Sequence, residues 1–119
     1  MKIAVTALQP NLASEIDPHF GRAQYILVVD TETMGYDVID NRENANSLKG
    51  AGIQAASSVG NKGAQVLVTG HCGPNAFKAL KGAGIKVVNG ASGIVRQAIK
   101  DYLDGKLKVS EEPDVEGRW

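Results

Sequence analysis

The chain has 119 residues, 43% of them hydrophobic and 22% charged, which is enough for one domain with one real core and excludes two. Thirteen basic residues balance thirteen acidic ones, so no net field draws the protein to nucleic acid or to a membrane surface. The single cysteine excludes an internal disulfide and a cluster held by four cysteines of one chain. No apolar run reaches spanning length, and residues 1–6 are too short an apolar start for a signal peptide, so a cytoplasmic protein is expected.

Residues 3–6 form a short, nearly all-apolar run and predict a central strand buried on both faces. Residues 7–18 read as a loop broken by Pro10, Asn11, Ser14 and Pro18. Residues 25–30 are the strongest strand in the sequence, 31–35 a hairpin-length turn, and 36–40 its antiparallel partner. A polar loop over 41–47 leads to a helix over 48–59, with Leu48, Gly52, Ala55, Ala56 and Val59 at helical spacing and a stop at 60–63.

A strand at 65–68 runs into a Gly-rich turn, and a helix starts near Pro74, where a missing N–H costs nothing. That helix carries Ala76, Phe77, Leu80 and Ala83 on one face and stops at Gly82 and Gly84. Residues 85–88 are the last strand. After the turn at 89–93, Ser92 can cap a final helix with Ile94, Val95, Ala98, Ile99, Tyr102 and Leu103 as its apolar stripe. Residues 106–119 are charged and aperiodic, which predicts a flexible C-terminal tail and leaves 1–105 as a single α/β domain. Lys-Gly-Ala-Gly-Ile occurs at 49–53 and at 81–85 in different contexts, too short a match for a repeat.

This order predicts one mixed five-stranded sheet covered by helices. With strands one, four and five parallel and strand two antiparallel to the first, segments 7–11, 19–22, 70–75 and 89–93 converge at one sheet edge. Open α/β sheets bind ligands at the carboxyl ends of their strands. Both histidines, the only cysteine and two helix starts fall in this set. Helix N-termini suit an anion, and His71 and Cys72 are soft metal ligands. The plain alternative is an ordinary strand–helix turn whose Cys72 is a small half-buried hydrophobe.

Other chemistries fit less well. Cys72 beside a histidine is a possible nucleophile, but no acid is placed to orient the imidazole. A metal nuclease needs a carboxylate in the first strand, where Ile3, Ala4 and Val5 stand. No Gly-Lys-Ser/Thr follows a strand, and the Gly-Ala-Gly pairs at 50–52 and 82–84 lack the third glycine of a dinucleotide motif.

The start Met-Lys-Ile-Ala-Val, the string Pro-His-Phe-Gly-Arg-Ala at 18–23 before a Tyr25-led strand, Gly-Ala-Gly-Ile at 50–53, Gly-Pro-Asn-Ala-Phe at 73–77 and Gly-Ile-Lys-Val at 84–87 occur in this order. Together they resemble the nitrogenase iron–molybdenum cofactor biosynthesis family. That family includes NifX-like proteins, the C-terminal domain of NifB and the orange protein that holds a molybdenum–copper sulfide cluster. The resemblance implies a ribonuclease H-like fold, three layers with a mixed five-stranded sheet between helices. It also implies a protein that binds and carries a metal–sulfur cluster without catalysing a reaction. The family's histidine falls on His19, with Phe20, Gly21 and Arg22 completing its motif, and Gly73, Pro74 and Asn75 match its second loop. His71 and Cys72 depart from the common pattern, as do Thr6, Ala7 and Gln24.

The expected function is therefore a carrier or scaffold for an anionic metal–sulfur cluster, either an iron–molybdenum cofactor precursor or a molybdenum–copper sulfide. Its partners are cofactor donor or acceptor proteins, with no nucleic acid and no membrane. The expected cluster-binding residues are His19, Phe20, Gly21, Arg22, Gly70, His71, Cys72, Gly73, Pro74, Asn75, Gly90, Ala91 and Ser92, with His19, His71 and Cys72 as metal ligands. The rival is a regulatory or protein-interaction module using the same sheet edge without metal, and a thiol enzyme at Cys72 ranks below both.

Overall fold

The computed structural model describes residues 1–47 and 49–112. Strand β1 (Lys2–Ala7) is the middle of the sheet, and every residue after Lys2 is buried. It pairs antiparallel with β2 (Tyr25–Asp30) and parallel with β4 (Val66–Val68). β2 returns through a turn into the antiparallel β3 (Tyr36–Asp40), and β5 (Lys86–Val88) runs parallel to β4. The order β3-β2-β1-β4-β5 gives the expected mixed five-stranded sheet.

Strand alternation sorts the core into two layers. Ala4, Ile26, Val28, Leu67 and Val87 pack against Ala55 and Val59 of α2 (Ala51–Asn61) and Phe77 and Leu80 of α3 (Pro74–Gly82). Ile3, Val5, Leu27, Val29, Val66, Val68 and Val88 pack against Val95, Ala98 and Ile99 of α4 (Val95–Leu103). Helices thus cover both faces, two on one side and one on the other. Full burial of a side chain such as Ile99 contributes about 1.5–3 kcal/mol, which secures the lone helix to its face.

Several expectations change. Residues 42–45, expected as loop, form a helical turn, α1 (Arg42–Ala45). The following helix begins at Ala51; Leu48, where it was expected to start, lies outside the described residues. Ser92 does not cap α4, whose N-cap is Ile94 with no side-chain cap bond. Backbone does that work: the N–H groups of Val95 and Arg96 donate to the carbonyls of Ser14 (2.9 Å) and Leu12 (3.1 Å), and Ile16 N–H donates to Gly93 O at 2.8 Å. The loop after β1 is therefore stitched to α4, with Leu12 and Ile16 buried in the same layer.

The chain beyond α4 also stays attached at first. Ser110 N–H donates to Val87 O at 2.7 Å, and Asn89 N–H donates to Ser110 Oγ at 3.1 Å. β5 is an edge strand whose outward N–H and C=O groups need partners, and Ser110 partners the Val87 carbonyl and the amide just past the strand. The loose tail expected from Lys106 is thus anchored to Ser110, and residues 113–119 of that expectation lie outside the described residues.

Candidate functional site

The site is built where two loops meet at the carboxyl ends of β1 and β4. His71 N–H donates to Pro18 O at 2.7 Å, and Phe20 N–H donates to His71 O at 3.0 Å. These bonds make an isolated parallel bridge between His19 and His71. The chains come this close because residue 70 is glycine: a Cβ there would lie 2.6 Å from Pro18 O. A bridge places the paired side chains on one side, and the two imidazoles stand with ring centroids 6.2 Å apart at a tilt of 44°. His19 is exposed and His71 half-buried.

Both imidazoles open on a cavity of about 300 Å³, lined by residues 19–22, 50–52, 71 and 73–76. Its walls are the first turns of α2 and α3, and the first N–H groups of a helix have no partner within it. Residues 51, 52, 75 and 76 line the cavity and bring backbone donors and the positive ends of two helix dipoles to one place. No Asp or Glu is among the described lining residues, whereas His19, His71 and Arg22 are. The arrangement favours an anion on backbone charge and geometry together.

Three small residues hold the walls together. Gly21 rests on Gly52, and a Cβ on Gly52 would lie 2.9 Å from the Ala76 Cβ. Loop 19–22, α2 and α3 thereby meet with almost no space between them. Phe20, 1% exposed, anchors the loop in the layer below.

Arg22 faces the cavity rim, but its Nη1 is engaged, donating to Ala45 O at 2.7 Å and Ser47 O at 2.8 Å. It satisfies carbonyls at the end of α1, where cations are favoured. The start of α1 is fixed by an exposed pair in which Arg42 donates to both Asp40 oxygens, at 2.9 and 2.7 Å. That side-chain bond, with the Arg42 backbone N–H, holds the Asp40 carboxyl down at about 2, and the carboxylate raises Arg42 in turn.

The structure brings together eight of the expected site residues: His19, Phe20, Gly21, Arg22, His71, Gly73, Pro74 and Asn75. Gly70 serves as the contact point for Pro18. Cys72 does not join the histidines: its side chain is fully buried in the α2–α3 layer with Phe20, Ala76 and Phe77. Residues one apart on an extended segment point to opposite sides, so pairing His71 across the bridge turns Cys72 inward. Gly90, Ala91 and Ser92 reach the same sheet edge, where Gly90 N–H donates to Gly70 O and Ala91 N–H to Thr69 O. They then lead to α4 on the opposite face, and its first N–H groups are already occupied.

Sequence reading missed the wall formed by Gly50, Ala51 and Gly52. The signal was present in two glycines around a helix start, but their partner Gly21 lies about thirty residues away in sequence. Among the described residues, no three His, Cys, Asp or Glu side chains cluster as a metal ion would require. A cluster bound here has to bring most of its own ligands.

The fold and sequence are similar to those of known proteins. A family model described as dinitrogenase iron-molybdenum cofactor matches residues 1–105. The apo form of the orange protein from Desulfovibrio gigas has a TM-score of 0.92 at 46% identity, over 95% of each chain. A candidate NifB protein from Thermotoga, solved by NMR, has a TM-score of 0.83 at 32% identity, over 98% of each chain. An uncharacterised protein of Methanocaldococcus jannaschii is 31% identical over 114 residues, covering 93% of this chain and 92% of the relative.

Proposed function

The chain belongs to the dinitrogenase iron-molybdenum cofactor family, and from that premise we propose that it is a non-catalytic carrier of an anionic metal–sulfur cluster. One observation carries the reading: His19 and His71 flank a cavity of about 300 Å³ walled by two helix N-termini and without a carboxylate among its described lining residues. The cargo brings its own sulfides. Backbone N–H groups offset its charge, and the imidazoles ligate or cover it.

The donor set suits a preassembled cluster, either an iron–molybdenum cofactor precursor or a molybdenum–copper sulfide. A naked metal ion would need more protein ligands than the two imidazoles supply. The carrier works in the cytoplasm between cofactor donor and acceptor proteins and uses neither nucleic acid nor a membrane. Among the described residues no helix is long and apolar enough to cross a membrane. The sheet order, with β2 antiparallel to β1, supports the ribonuclease H-like description of the fold.

Protein purified without oxygen from its native host tests the proposal. The expected material is coloured and carries molybdenum or iron with acid-labile sulfide. A colourless, metal-free protein that also takes up no thiometallate would overturn the carrier reading in favour of a protein-interaction module.

A further inference from the structure

The loop that carries His19 is held by two buried polar side chains that touch no part of the cavity. Asp17 is 5% exposed, and its two oxygens accept backbone N–H groups at either end of the loop: Oδ1 from His19 at 3.2 Å and Oδ2 from Gln24 at 3.1 Å. Asn41, 3% exposed, does the reverse, its Nδ2 donating to the carbonyls of Gly21 at 3.1 Å and Ala23 at 2.9 Å. Acceptors on one side and donors on the other thus fix residues 19–24.

Asp17 is itself fixed to the sheet. Its N–H donates to Thr6 O at 3.0 Å, and its carbonyl accepts the Thr6 hydroxyl at 2.7 Å. A hydroxyl has one proton, so Thr69 must donate in the 2.9 Å contact between Thr69 Oγ1 and Thr6 Oγ1. Thr69 lies two residues before His71 on the other half of the bridge. The network therefore ties the carboxyl ends of β1 and β4 to both loops.

We infer that Asp17 is the positioning residue of the site: it sets His19 against His71 through the His19 backbone N–H, without contact to the cargo. Pro18 has no N–H, so the His19 amide is the first after Asp17 that its carboxylate can bind, an Asx turn. The role calls for a carboxylate, because the side chain must accept two N–H bonds with two oxygens. Asparagine has one acceptor and would present an NH₂ group to the second amide. The inference rests on the carrier reading for its cargo arm alone.

The test compares wild type with Asp17→Asn and Thr6→Val. In ligand-free protein, NMR reads the cross-relaxation between the His19 and His71 rings and the exchange protection of the Val5 and Leu67 amides. In cargo-loaded protein, the loss of thiomolybdate–copper cluster on dilution is followed by its visible absorbance. Asp17→Asn should lose the ring–ring signal, keep sheet protection and shed cargo about tenfold faster. Thr6→Val, which removes one anchor and spares the loop amides, should fall between the two. A persistent ring–ring signal in Asp17→Asn overturns the inference, as does sheet protection lost together with the loop, which would mark a merely structural role. If wild type takes up no cluster, the carrier reading fails while the ring–ring signal still decides the role of Asp17.

Discussion

Gly21 lies against Gly52 at the start of α2, so close that a methyl group on Gly21 would sit 2.7 Å from the Gly52 Cα. The obstacle is backbone, which cannot swing aside as a side chain can. Gly21→Ala must therefore push loop 19–22 off the helix start and open the cavity wall. The expected cost is about 1–3 kcal/mol of stability, with uptake of a thiometallate reduced by more than that stability loss explains. Thermal unfolding and an optical binding titration on the same preparation check both. Unchanged uptake would show that the contact does not shape the site.

Cys72 is predicted to matter for folding and not for cargo. Its sulfur lies in an apolar layer, 3.8 Å from Gly73 O. Cys72→Ser buries a hydroxyl in that layer and should cost about 1–3 kcal/mol, while Cys72→Ala leaves a small void instead. Both variants, once folded, should retain cluster as wild type does. Faster loss from the serine variant at matched stability would restore Cys72 as a ligand.

How much of this was legible in the chain depends on the range of the interaction. β2 and β3 have the bounds that their apolar runs and the turn between them indicate, because strand periodicity is local. The meeting of the His19 and His71 loops at one edge followed from strand polarity alone. Which sheet face each helix covers did not, because an apolar stripe marks a buried side of a helix without naming its partner. The 89–93 turn was therefore expected in the site, and the start of α2 was not. The role of Gly52 likewise depends on Gly21 and Ala76, a contact visible only once three elements are packed.

Two exposed carboxylates contribute to the acid limb of stability: Lys100 beside Asp104 holds its carboxyl below the ordinary value, and Arg42 does the same to Asp40 more strongly. The Asp40 carboxyl, at about 2 when folded against an ordinary 3.8, favours the folded state when ionised. Its contribution is present above the unfolded value and is lost as pH falls from about 4 to about 2. The pair is exposed, so the contribution is small and salt weakens it. An NMR titration of the Asp40 carboxyl should give a midpoint near 2, and Arg42→Gln should move it back towards the ordinary value. An ordinary midpoint in wild type would show that the pair is not held in solution.

The central claim is that the paired imidazoles and the two helix starts hold a sulfide cluster. It is tested most directly by titrating thiomolybdate with copper, or an isolated iron–sulfur precursor, into wild type and His19→Ala and then passing each through a desalting column. Wild type should emerge with about one cluster per chain, retained less well in acid, because a protonated imidazole has no lone pair to offer a metal. His19→Ala should take up cluster and lose most of it on the column, since the backbone donors remain and the imidazole does not. Equal retention by the two proteins, independent of pH and weakened only by salt, would contradict the role of the histidine pair and leave a pocket made by the turns alone.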